Sequence, residues 1–342
     1  MKRKINKVIL LTTVVVTLIF TQSVSASDSL SIIDLGNLGG PYSIAFGINQ
    51  RGEVVGGSVT LAGSEHAFLW EDGTMIDLGT LPGGSYSIAT AINNHGQIVG
   101  NGDTPSGDQR AFLWANSRMN DLGTLPGGYF SGASAINERG QIVGYSDTAL
   151  GDHHDYFWVH ASLWQNGSIT DLGTLPGGSA SFATGINSSG QVVGYSETAS
   201  GADHAFLWEK GTMTDLGTLG GSYSTASAIN DRKQVVGISE TASSEQHAFI
   251  WQNGTMTDLG ALLGGSYNGA SAINDRGQVV GYNYNEVTNN THAYLWEKGS
   301  MTDLGTQISD SFSFANAINE RGQIVGQRND TSGAPHALLW TR

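Results

Sequence analysis

Apolar residues along this chain fall in short runs separated by glycine-rich turns. In the stretch from Phe182 to Leu219, Thr184-Gly185-Ile186 is a small, apolar run suited to a crowded inner strand. Asn187-Ser188-Ser189-Gly190 then forms a tight turn. Gln191 to Ser196, with Val192 and Val193, is a second predicted strand, and a loop from Glu197 to Asp203 leads to a third, His204 to Trp208. That third strand is apolar on both faces, as expected of a sheet sandwiched between two others. Glu209-Lys210-Gly211-Thr212 turns the chain into a fourth strand, Met213 to Leu219.

The whole pattern occurs seven times. Asp-Leu-Gly begins at Asp34, Asp77, Asp121, Asp171, Asp215, Asp258 and Asp303, at intervals of 43 to 50 residues. Each is followed by an element ending in Ile-Asn and then by one related to His-Ala-Phe-Leu-Trp. A period of this length, built of short strands, predicts propeller blades. The expected fold is all-β, a seven-bladed β-propeller. The chain begins in a fourth-strand segment, Leu30 to Leu38, and ends in a third-strand segment, His336 to Trp340. The N-terminal strand is therefore expected to complete the last blade, with Ile32 opposite Trp340, and so to close the ring.

The connection between third and fourth strands fixes the register. Asp72-Gly73, Asn166-Gly167 and Asn253-Gly254 are preferred pairs for a two-residue hairpin turn. Trp70 then faces Met75, Phe68 faces Asp77, and His66 lies diagonal to Asp77 on the same sheet face. The repeat His and Asp are thus expected to pair, both largely buried, with Arg110 in place of His opposite Asp121. Lys233 stands where the other six copies have Gly, at a turn position that favours positive φ.

The ordered set Asp-Leu-Gly, Ala-Ile-Asn and His-Ala-Phe-Leu-Trp resembles the extracellular HAF-repeat family. His66-Ala67-Phe68, His204-Ala205-Phe206 and His247-Ala248-Phe249 show the motif that names it. The resemblance covers the seven copies and implies a secreted propeller. It implies no catalytic residue.

Residues 1–26 read as a signal peptide: Lys2, Arg3, Lys4 and Lys7 precede an apolar Val8–Phe20 stretch and small residues at Val24-Ser25-Ala26. Residues 27–342 form the single propeller domain, expected to be secreted and monomeric, without membrane insertion. The chain has no cysteine, so no disulfide supports it. Its net charge is −14, and removing the four basic residues of the leader leaves 12 Lys and Arg against 30 Asp and Glu. That balance argues against nucleic acid as a partner. Glycine, 48 of 342 residues, falls at fixed repeat positions and marks turns rather than disorder.

Candidate chemistry lies in the loops before the inner strand and between second and third strands. The first loop set places Tyr42, Tyr86, Phe130, Tyr223, Tyr267 and Phe312 at one equivalent position, either wedged between blades or forming a funnel that stacks on a ligand. The second carries Asp103, Asp147, Glu197 and Glu240, a solvated rim or an arc for a cation such as calcium. The third copy is extended by six residues around Gly151–Val159. There His153, His154 and Asp155 offer metal-binding or acid–base groups, beside Tyr156 and Trp158. No nucleophile elbow, zinc-protease motif or phosphate-cradling loop is present. These features point to a binding or scaffolding module for an extracellular glycan or protein, with no obligatory cofactor. The alternatives are an enzyme acting on extracellular polysaccharide at the His153–Trp158 loop and a purely structural surface protein.

Overall fold

The computed structural model describes residues 30–148, 158–262, 265, 267–305 and 312–341. These residues contain twenty-eight strands, β1 to β28, and no helix longer than a single turn. The strands form five antiparallel four-stranded sheets and one eight-stranded sheet, in which two four-stranded units meet at a single parallel bridge, Gln246 to Tyr267. The signal-like leader lies outside the described residues.

The repeat examined above becomes β14 (Ser181–Ile186), β15 (Val192–Glu197), β16 (Asp203–Glu209) and β17 (Thr212–Asp215), hydrogen-bonded in that order. The inner strand starts earlier than the sequence suggests and carries a bulge between Ala183 and Gly185. The outer strand stops at Asp215 instead of Leu219, because Asp215 Oδ1 accepts the Gly217 N–H at 2.8 Å and turns the chain away. The hairpin register is as predicted: Trp70 faces Met75 and Phe68 faces Asp77. Asp72 and Gly73 both have positive φ, 50° and 79°, as a tight two-residue hairpin turn requires. Lys233 adopts φ 61° at the site that is glycine in the other copies. Ala205, Phe206 and Leu207 are all buried, so both faces of the third strand pack against neighbouring sheets.

Two sets of side chains join each sheet to the next. In the first, a buried serine on the inner strand, or Asn268 in one copy, accepts the N–H of the alanine in the preceding His-Ala-Phe element. Ala205 N–H donates to Ser224 Oγ at 2.9 Å, and Ser224 Oγ donates to Gly217 O at 2.6 Å. Ala337 makes the same bond to Ser43, 294 positions earlier. In the second, the Asn of each Ile-Asn element saturates its own turn and reaches the next one. Asn187 Oδ1 accepts the N–H groups of Ser189 and Gln191, while its Nδ2 donates to Gln191 Oε1 and to Asn230 O. The inter-turn bonds run Asn49 to Asn93, Asn137, Asn187, Asn230, Asn274 and Asn319, and Asn319 donates to Asn49 O at 2.9 Å.

The first and last strands also meet. β1 (Ser31–Asp34) pairs antiparallel with β28 (Pro335–Thr341), and Ile32 lies opposite Trp340 as expected. Trp340 is buried, packed against Leu30 and Ile32.

Asn187→Ala strands two turn N–H groups in a site that is 4 % exposed and removes the side-chain donor that reaches the Asn230 carbonyl. We expect a loss of about 1–3 kcal/mol in chemical denaturation. Deleting residues 29–38 bares β28 as an edge and uncovers Trp340; a lower melting temperature and added aggregation are expected, and an unchanged melt would contradict the role given to β1.

Candidate functional site

Antiparallel order sorts the loops onto two ends of the molecule. The Asn-x-x-Gly turns and the third-to-fourth hairpins lie at one end. The Asp-Leu-Gly segments and the second-to-third loops lie at the other, with the loop aromatics and the acidic arc.

The His–Asp pairs form at that second end. His204 Nδ1 is 2.8 Å from Asp215 Oδ2, and equivalent pairs join His66 to Asp77, His160 to Asp171 and His336 to Asp34. The expectation of two buried partners holds only for the imidazole side. The His204 side chain is 23 % exposed but that of Asp215 is 42 %, because the outer strand has solvent on its far side. Arg110 Nε stands 3.9 Å from Asp121, and the guanidinium also donates to the Tyr129 carbonyl. Burial pushes the Asp171 carboxyl up, but the His160 hydrogen bond and the Gly173 N–H more than offset it and leave it below its usual range. These pairs tie the outer strand to the third strand, and the half-exposed Asp limits what each contributes.

The acidic arc faces inward onto backbone. Asp147, 6 % exposed, accepts the N–H groups of Tyr129 and Phe130 at 2.7 to 2.9 Å. Asp103 does the same for Ser85 and Tyr86. Glu197 accepts from both the N–H and the hydroxyl of Ser179, and Glu240 from those of Ser222. Hydrogen bonds from Ser179 hold Glu197 below the ordinary carboxylate range, and Ser222 acts likewise on Glu240. The arc thus caps the loop that precedes each inner strand. Among the described residues, no group of three or more His, Asp or Glu side chains is placed to hold a metal ion.

Aromatic rings gather at the same end, over the start of the inner strands. Phe182 stacks on Tyr195 with ring centroids 5.1 Å apart, and Tyr145 reaches Phe182 from the preceding sheet at 5.4 Å. Tyr282 contacts Tyr267 and Phe314 at 6.0 and 5.2 Å. All six rings are partly exposed. Tyr86 and Tyr223 sit beside this belt. Burial raises both hydroxyls, and Tyr223 reaches about 12 with help from Tyr267, Glu240 and Asp203. The sequence reading found the loop tyrosines but missed Tyr145, Tyr195 and Tyr282. They stand at one equivalent second-strand position, three of seven copies, which was the available signal.

His153, His154, Asp155 and Tyr156 lie outside the described residues. Trp158 is described and is 37 % exposed, just before the strand that starts at Val159.

The opposite end holds features the sequence reading did not single out. The residue after the Asn carries a second set of inter-turn bonds in most copies: Ser188 N–H donates to Asp231, Asp231 N–H to Asp275, and Asp275 N–H to Glu320. A cavity of about 200 Å³ lies among these turns, lined in part by Asn137, Asn187, Asn230 and Asp231. A second, of about 410 Å³, lies by His95 and Glu138, whose side chains are 3.3 Å apart.

No protein-family model matches the chain, and no curated protein matches it. Solved structures do. The β-propeller domain of the Trilobed protease from Pyrococcus furiosus, described as having an open velcro topology, superposes with a TM-score of 0.58 at 10 % identity, over 87 % of this chain and 93 % of that one. A Mycobacterium tuberculosis puromycin-hydrolyzing peptidase matches with a TM-score of 0.55 at 12 % identity, over 87 % of this chain and 50 % of its own. Pyrococcus horikoshii acylaminoacyl peptidase matches at 0.50 and 12 %, over 87 % and 51 %. The chain spans about half the length of these two peptidases. The likeness is one of fold: the chain is a β-propeller.

Two outcomes are expected from this geometry. Asp215→Ala costs less than about 1 kcal/mol, below the loss at Asn187, when both are measured by urea denaturation. For Glu197, whose folded pKa lies below its ordinary 4.5, the stabilisation is present above that value and is lost as pH falls through the depressed one. Glu197→Gln should therefore flatten the acid side of the stability-versus-pH curve; an unchanged acid limb would refute the capping role.

Proposed function

We propose that this chain is a secreted, seven-bladed propeller, sealed by its N-terminal strand, that serves as a binding or scaffolding module for an extracellular glycan or protein. The pairing of Ile32 with Trp340 and the return of the Asn bonds to Asn49 support the seven-blade, closed-ring reading. The charged and apolar leader supports secretion.

One observation carries the binding reading: two trios of partly exposed aromatic rings, Tyr145–Phe182–Tyr195 and Tyr267–Tyr282–Phe314, at a single end of the molecule. Rings whose only task is wedging between sheets are fully covered, as Phe68, Phe112, Phe206 and Phe249 are. Rings left partly open offer flat apolar faces to a ligand, and the loop tyrosine hydroxyls add polar contacts.

The test is binding of the leaderless protein to immobilised extracellular glycans and matrix proteins, with and without a divalent cation. Tyr145→Ala combined with Tyr195→Ala should weaken the ligand found by at least roughly tenfold, on the scale of two stacking contacts, while far-ultraviolet circular dichroism stays unchanged. Binding that ignores both rings would place the site elsewhere on the molecule.

A further inference from the structure

The second copy of the repeat lacks a bond that its neighbours make. In the third, fifth and sixth copies, the Gln that follows the Asn-x-x-Gly or Asn-x-x-Lys turn donates to the residue after the repeated Trp. Gln141 Nε2 reaches Gln165 at 3.2 Å, Gln234 Nε2 reaches Gln252 at 3.3 Å, and Gln278 Nε2 reaches Glu297 at 2.7 Å. The second copy has Ala115 at that position, which has no side-chain acceptor. Gln97 keeps the other half of the pattern: Asn93 Nδ2 donates to its Oε1 at 2.7 Å and fixes the amide. Its Nε2 makes no hydrogen bond among the described residues. The shortened side chain opens the cavity of about 410 Å³ that Gln97, Ala115 and Asn116 line on one side and the turn at Arg139 on the other.

Two further departures meet in the same cavity. The first is Arg139. Its equivalents Arg51, Arg232 and Arg276 each lie across the turn glycine of the next copy, so that a Cβ on Gly96, Gly277 or Gly322 would stand 2.9 to 3.1 Å from an Nη2 atom. The atoms nearest a Cβ on Gly190, the glycine that follows Arg139, belong instead to Gln141. The Arg139 guanidinium makes no hydrogen bond or ion pair among the described residues. Arg51, at the edge of the cavity over Gly96, is paired with Glu53 at 2.6 Å. The second departure is His95, which replaces that arginine in its own copy. Its Nδ1 stands 3.3 Å from Glu138 Oε2, and Asn94 donates to the same carboxylate from its N–H and its Nδ2. A carboxylate beside Nδ1 keeps a proton there and leaves Nε2 of the neutral ring as an acceptor. Glu138 is thus met by donors of the chain, while Arg139 meets no acceptor.

We propose that this cavity binds one carboxylated sugar unit, with Arg139 on the carboxylate and Gln97, Asn116 and His95 on the ring hydroxyls. A guanidinium presents paired N–H groups that match a carboxylate. The two amides bring donors and the imidazole an acceptor, which suits hydroxyls. A bare carboxylate uses Arg139 and leaves the amides unanswered; a neutral sugar leaves the guanidinium unanswered. The lining holds no Phe, Tyr or Trp, and Ala115 is its one aliphatic side chain, which disfavours an apolar ligand. The volume falls within the range of small-molecule pockets, roughly 300 to 1,000 Å³. The protein's negative charge does not repel the ligand from afar, because charges beyond roughly 8 Å are largely screened at physiological salt. This site lies at the end opposite the aromatic rings and is separate from the binding role proposed there.

The experiment titrates the leaderless protein with oligomers of galacturonic and of glucuronic acid, read by isothermal calorimetry at physiological salt. The neutral galactose and glucose oligomers, acetate and inorganic sulfate are run beside them. At least one acidic oligomer should bind, and roughly tenfold more tightly than its neutral counterpart, acetate or sulfate. Arg139→Gln should weaken that oligomer roughly tenfold, the loss of one charge-assisted pair. Arg321→Gln removes the equivalent charge from a copy outside the cavity and should change affinity less than about twofold. Ala115→Gln restores the partner that Gln97 lacks and fills the cavity, so it should abolish binding while the melting temperature holds or rises. Unchanged binding in Ala115→Gln, or equal losses at Arg139 and Arg321, would overturn the site. A neutral oligomer bound as tightly as the acidic one would overturn the carboxylate assignment. Acetate or sulfate bound as tightly would overturn the sugar assignment. If neither acidic oligomer binds, the proposal falls outright.

Discussion

The Asn side chain at the end of each inner strand is the constraint on which the architecture rests. Buried turn N–H groups must be paired, and Asn187 Oδ1 pairs two of them. Its Nδ2 then has two donors to place, and the second finds a carbonyl on the neighbouring sheet. A group that satisfies its own turn therefore sets the distance and tilt of the next sheet. Ser224 and its equivalents repeat the device on the same inner strand, nearer the other end. Between the two lies the packing of Phe206, Leu207 and their neighbours, which supplies the bulk of the burial but little orientation.

This division explains what was legible in the sequence. Local chemistry was readable because its partners are close along the chain. Asp72-Gly73 gave the hairpin and its register, and from the register followed the proximity of His66 to Asp77. The partners of Asn187 Nδ2 and Ser224 Oγ lie in another copy of the repeat. Spacing says that such residues recur; it does not say which copy each one reaches. The burial of Asp215 was misjudged for a related reason: an outer strand has one covered face, and the pattern of alternating residues does not distinguish it from an inner one.

The acidic arc shows how a repeated residue and an unrepeated one differ in meaning. Asp103, Asp147, Glu197 and Glu240 recur because the same loop N–H groups recur, and the bonds they make account for them. Glu65 and Asp203 occupy a position that other copies fill with glutamine, valine, threonine or proline, so the fold tolerates their absence. On a scaffold of near-identical units, the informative positions are those where one unit departs from the rest without a structural partner to explain it.

The Asn bonds all point the same way: each turn donates to the one that follows it, and the last donates to the first. Aligned hydrogen bonds of this kind polarise one another, so loss at one turn weakens its neighbours too. β1 and β28 meet at the pair Ile32 and Trp340, and the third-to-fourth hairpin of the first sheet has the matching pair Met75 and Trp70. Hydrogen bonding does not distinguish the pair Ile32 and Trp340, brought together from opposite ends of the described residues, from the pair Trp70 and Met75, joined by a tight turn.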